Sequence, residues 1–100
     1  MGHRRSRIEL YVDILQAIAK GRQSPAKIVY AANLSYDRVV KHIGFLQDQN
    51  LIEAIDGSKN RYQITERGVD IIRYFQEIES ALFSQKRTYA TINVHFTPSL

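Results

Sequence analysis

This chain predicts a mainly α-helical domain with one small β-hairpin, on three observations. Residues 30–52, YAANLSYDRVVKHIGFLQDQNLI, hold a helix end, a three-residue turn and a second helix, a span too short for anything but a helix-turn-helix. Two short runs of strand character follow, Leu51–Ile55 and Arg61–Ile64, joined by the turn sequence DGSKN at 56–60. A last helical pattern then runs from Glu66 to about Lys86, with an apolar seam that continues after the hairpin has ended.

The first helix should begin at Arg7, because Ser6 and Glu9 stand in the S-x-x-E spacing of a capping box. Gly21 should end it. Its expected inward stripe is Ile8, Tyr11, Leu15 and Ile18, with Ile14 alongside. Arg4, Arg5 and Arg7 oppose the dipole of the helix they open, so helix stability does not account for them. A phosphate-contacting arm accounts for them, and so does a merely solubilising terminus. Ser24 and Pro25 are an N-cap and a first-turn proline, which start a second helix that runs to about Ala32. Ile28, Val29 and Ala32 should face inward. Lys27 sits in the first turn, either placed to touch a phosphate or simply solvated.

Asn33 tolerates the left-handed backbone that ends a helix, Leu34 should plug the corner, and Ser35 can cap the next helix, residues 35–49. Tyr36, Val39, Ile43 and Leu46 repeat at helical spacing and should form its core face. Asp37, Arg38, Lys41 and Gly44 fall away from that stripe, with Val40 and His42 on its flanks. A helix can carry Arg38 and Lys41 as ordinary solvated charges. The preceding turn, the basic surroundings and the hairpin behind favour a DNA-reading face made of Tyr36, Asp37, Arg38, Val40 and Lys41. Phe45 also leaves the stripe, so the hairpin is expected to cover it.

A hairpin placed directly behind such a helix is a wing, which makes the expected architecture a winged helix-turn-helix plus a C-terminal dimerisation helix. The wing tip, residues 56–61, carries Lys59, Asn60 and Arg61 toward the backbone or minor groove. Polar, basic tips also occur for solubility alone. Thr65 should cap the last helix, and Gly68 should let it pack closely on the wing. Ile71, Phe75, Ile78 and Leu82 follow the four-three-four spacing of a coiled-coil seam. That seam implies a homodimer, unless the helix folds back over its own core. Residues 1–65 thus form the DNA-binding domain and 66–87 the dimerisation helix, while the tail 88–100 alternates with a strand period and is either ordered or frayed.

Composition narrows the function. One hundred residues with 44% hydrophobic and 24% charged content make one modest globular domain. The net charge of +4 lies entirely in residues 1–50, where eight Lys and Arg face four Asp and Glu. Positive charge around a helix-turn-helix suits a polyanion. No cysteine is present, which excludes disulfides and thiolate metal ligation. No apolar run approaches the ~20 residues of a membrane span, so a cytoplasmic, nucleoid-associated protein with no membrane partner is expected. The three histidines lack partners at ligand spacing, and no phosphate-binding glycine loop or nucleophile elbow occurs. We therefore expect no metal, no cofactor and no enzyme activity.

Laid out this way, the chain resembles the archaeal winged-helix DNA-binding proteins, most closely the Sulfolobus 10a group of small basic dimers. The resemblance rests on Y-A-A-N-L-S-Y at 30–36, followed by Ile43, Leu46 and the Leu51–Ile52 pair, and on Y-Q-I-T-E-R-G at 62–68. It spans roughly Arg7 to Phe83. It implies sequence-tolerant or operator-specific binding of duplex DNA, groove-facing positions for Tyr36, Arg38 and Lys41, and a homodimer joined through the C-terminal helices, often as an antiparallel coiled coil. The shorter last helix and the strand-like tail depart from that pattern. Three readings follow: a homodimeric transcriptional regulator, an architectural chromatin protein of low sequence specificity, or a winged-helix module that binds protein.

Overall fold

A computed structural model describes residues 5–58 and 60–83. The order of elements is α1 (Arg7–Ala19), α2 (Pro25–Ala32), α3 (Tyr36–Asp48), β1 (Ile52–Ala54), a single 3-10 turn (Ile55–Gly57), β2 (Tyr62–Ile64) and α4 (Glu66–Phe83).

Each of the first three helices starts where its cap residue stands. The Ser6 hydroxyl accepts from the Glu9 amide at 3.1 Å while the Glu9 carboxylate accepts from the Ser6 amide at 2.7 Å, a complete capping box. Ser24 caps α2 through the Lys27 amide and Ser35 caps α3 through the Arg38 amide, both at 3.3 Å. Asn33 (φ 56°) and Asn50 (φ 62°) take the left-handed backbone that ends α2 and α3. Leu34, directly after Asn33, is buried at the corner.

The core is one cluster in which Ile14, Leu15 and Ile18 of α1, Ile28 of α2, and Val39, Ile43 and Leu46 of α3 meet Ile52 and Tyr62 of the hairpin. Ile8 does not join it: at 61% exposure it is a surface residue. α1 packs against α2, α4 and β2 at once, so it buries a broad arc that includes Leu10, Val12 and Ala17, and Ile8 lies outside that arc. Tyr36 also leaves the expected core stripe and is 55% exposed, because Leu34 already fills the corner next to it.

β1 and β2 pair antiparallel with Ile52 opposite Ile64, Glu53 opposite Gln63 and Ala54 opposite Tyr62. Ile52 and Tyr62 point to the core; Glu53 and Gln63 face out and hydrogen-bond at 2.8 Å. The strands are shorter than the sequence pattern predicts. Asp56 (φ 51°) and Gly57 (φ 73°) both take left-handed backbone, which turns the chain out of the ladder after Ile55, whose amide still donates to the Arg61 carbonyl at 2.9 Å. The far edge of β2 is partly satisfied by the α1–α2 loop, whose Gln23 carbonyl accepts from the Tyr62 amide at 2.9 Å.

α4 is fastened to the end of α3. The Thr65 hydroxyl donates to the Asn50 carbonyl at 2.8 Å and accepts from the Gly68 amide at 3.1 Å, and the Arg67 Nε donates to the Gln49 carbonyl at 3.0 Å. Gly68 fits against the base of the hairpin as expected: a Cβ there would lie 2.3 Å from the Leu51 carbonyl oxygen and 2.6 Å from Ile64 Cγ1. Ile71 and Ile72 lean on the core, whereas Ile78, Leu82 (65% exposed) and Phe83 (72% exposed) stand in the open. Residues 84–87 of the expected dimerisation helix and the tail 88–100 lie outside the described residues. No described helix is long and apolar enough to cross a membrane.

Candidate nucleic-acid interface

α3 divides its residues cleanly. Val39, Ile43 and Leu46 seal the core, and Tyr36, Asp37, Arg38, Val40, Lys41 and Gly44 are exposed. Among the described residues no acid pairs with Arg38, Lys41 or Arg7; the ion pairs there are Arg5 with Asp13 and Arg73 with Asp70. The backbone geometry of α3 therefore presents two unneutralised cations in its first two turns, where the capping hydroxyl of Ser35 holds the helix start in place.

The other expected site residues are scattered. Arg7 is exposed in the first turn of α1 and lies near enough to His42 to act on it together with Arg38 and Lys41. Arg5 does not extend as an arm: its Nη1 donates to Asp13 at 2.8 Å and its Nη2 to the Asn33 carbonyl at 3.4 Å, tying the start of the chain to the turn. Lys27 is exposed and lines a shallow groove with Lys20, Arg22 and Tyr30. Asn60 and Arg61 are exposed beside the hairpin turn. Arg4 and Lys59 lie outside the described residues. Among the described residues no group of three or more His, Cys, Asp or Glu could hold a metal ion.

One feature of this surface departs from what sequence spacing predicts. Phe45 stays 42% exposed, and the ring it meets belongs to the first helix and not to the hairpin. It stacks on Tyr11 of α1, ring centroids 4.7 Å apart at 16°, and Tyr11 meets His42 edge-on at 5.3 Å. His42 and Phe45 are three residues apart and share one flank of α3, so both turn toward α1, and the hairpin commits its apolar side chains to the core instead. In the sequence Tyr11 is legible only as a core residue, with no signal that it supports the α3 surface.

His42 has a buried Nε2 with no hydrogen-bond partner among the described residues. Burial first, and then the fields of Arg38, Arg7 and Lys41, hold its pKa below the ordinary histidine value of about 6.5. The unfolded chain thus binds more protons than the fold below about pH 6.5. The contribution to stability is complete above that pH and is lost as pH falls through the lowered folded value. Thermal melts between pH 7.5 and 5 should show Tm falling toward acid, with a shallower fall in His42→Gln. Parallel curves for the two proteins would contradict this origin.

Comparison with known proteins places the chain among relatives. A family model described as winged helix-turn-helix matches residues 4–82. An uncharacterized protein of Methanocaldococcus jannaschii is 32% identical over 76 residues, covering 76% of this chain and 75% of the relative. Among solved structures, Sso10a-2, a DNA-binding protein from Sulfolobus solfataricus, superimposes with a TM-score of 0.63 at 24% identity, over 88% of this chain and 96% of that one. An O-methyltransferase from neocarzinostatin biosynthesis, in complex with S-adenosyl-L-homocysteine, superimposes with a TM-score of 0.56 at 23% identity. That match covers 65% of this chain, which spans only 21% of the methyltransferase. At these identities the two structures speak to the fold alone.

Proposed function

The chain belongs to the winged helix-turn-helix family, and on that premise we propose that it binds double-stranded DNA as a homodimeric transcriptional regulator. α3 enters the major groove, and the hairpin turn lies along the backbone or in the minor groove. The observation that carries this reading is the outer face of α3, where Arg38 and Lys41 stand exposed and, among the described residues, unpaired, while the opposite face is fully committed to the core. Cations without an internal partner cost the fold nothing when solvated, and they neutralise phosphates when DNA is present. Asp37 has the acceptor chemistry to take a hydrogen bond from a cytosine amino group.

Two copies join through α4, where Ile78, Leu82 and Phe83 form an apolar strip exposed among the described residues. A two-fold dimer would set two copies of α3 in major grooves about one helical turn, roughly 34 Å, or a multiple of it apart along the duplex. The reading is tested by fluorescence anisotropy on duplex DNA across a salt titration, with light scattering on the free protein. The expected results are a logarithm of affinity that falls linearly with the logarithm of salt, and twice the chain mass. Duplex binding that ignores salt, or no duplex binding, would overturn it.

A further inference from the structure

We propose that the row Tyr36, Val40 and Gly44 is the base-reading strip of α3, and that it seats on thymine 5-methyl groups in the major groove. The inference rests on the duplex-DNA reading above and specifies which base feature that site recognises.

The three residues are spaced four apart, so they stand one above another along a single side of the helix. All three are exposed, Tyr36 at 55% and Val40 at 46%. The fold explains neither Val40 nor Gly44. Valine gives up rotamer freedom in a helix, and a half-exposed valine recovers little of that by burial.

Glycine inside a helix is destabilising relative to alanine, and it is retained where a neighbour needs the space. At Gly68 the neighbour is visible, the Leu51 carbonyl oxygen at 2.3 Å from where a Cβ would stand. At Gly44 an added Cβ would meet no atom within 4 Å. Among the described residues nothing needs that space, and a body seated against the outer face of α3 would.

The charges identify that body. Arg38 and Lys41 flank the row on the same helix without acidic partners, which suits a polyanion and repels a cationic partner. Among the base edges of the major groove, the apolar feature is the thymine methyl group, and small apolar side chains are what contact it. Val40 supplies the apolar contact, and Gly44, one turn further on, lets the helix approach the base edges closely.

The full chain is titrated with two alternating duplexes of the same length, one of adenine and thymine and one with uracil in place of thymine. Wild type should bind the uracil duplex about fourfold more weakly for each methyl group removed from the interface, with an unchanged salt slope. Val40→Ala, on an exposed position that leaves folding intact, keeps one methyl group and should narrow the gap between the two affinities. Gly44→Ala should raise Tm and weaken binding to the thymine duplex. Because uracil also alters duplex stiffness, the deciding readout is the change in the thymine-to-uracil ratio between wild type and Val40→Ala. Equal wild-type affinities, or a thymine-to-uracil ratio that Val40→Ala leaves unchanged, would overturn the assignment while leaving duplex binding in place. Loss of all duplex binding by wild type would instead overturn the functional reading together with this one.

Discussion

Arg38→Glu combined with Lys41→Glu is expected to weaken binding to duplex DNA by about a hundredfold or more per protomer, with almost no change in Tm. Both side chains are exposed and have no ion-pair partner among the described residues, so reversing them breaks no pair seen inside the fold. On DNA the same change replaces attraction by like-charge apposition, which costs several kcal/mol, on the order of two decades in affinity. The slope of log affinity against log salt should flatten by about two for each protomer, since two phosphates are no longer neutralised. An affinity unmoved by the double reversal would assign the surface to a protein partner instead.

Gly68→Ala is expected to destabilise the fold by about 3 kcal/mol, the upper range for forcing a methyl group into a packed site. The new Cβ would meet the Leu51 carbonyl oxygen at 2.3 Å and Ile64 Cγ1 at 2.6 Å, and the first of these is backbone that cannot turn aside. In a domain of this size that loss lowers Tm on the order of 15 °C, measurable by circular dichroism. The strain falls where α4 leaves the hairpin, so the same variant should also loosen the Thr65 and Arg67 links to the end of α3. A Tm within a few degrees of wild type would mean that α4 does not bear closely on the hairpin.

The local signals of the fold are legible in the sequence because they depend on close neighbours along the chain. The capping box at Ser6 and Glu9, the caps at Ser24 and Ser35, and the left-handed Asn33 and Asn50 all act within four residues of themselves. Gly68 is legible for a different reason: a glycine early in a helix, directly behind a strand, marks a close approach of that helix to the strand. The residues that depart from expectation depend on what lies across the fold. Ile8 fits the periodicity of an inward stripe, yet α1 has partners on several sides and its true buried arc is centred elsewhere. Tyr36 matches the stripe of α3 but loses its place to Leu34, which arrives from the turn. Chain order points Phe45 at the hairpin that follows it, whereas the ring it meets, Tyr11, lies in the first helix. In the candidate site, the cations of α3 are evident from helical angle alone. The pairing of Arg5 with Asp13 and the gathering of Arg7, Arg38 and Lys41 around His42 require the tertiary arrangement.

The claim that α3 lies in the major groove is tested most directly by dimethyl sulfate protection on a bound duplex of mixed sequence. Guanine N7 opens onto the major groove, whereas adenine N3 opens onto the minor groove. The expected result is protection of guanine N7 in two patches centred about one helical turn or a multiple of it apart, with adenine N3 protected only where the hairpin reaches. Binding that leaves every guanine N7 as reactive as in free DNA would contradict it.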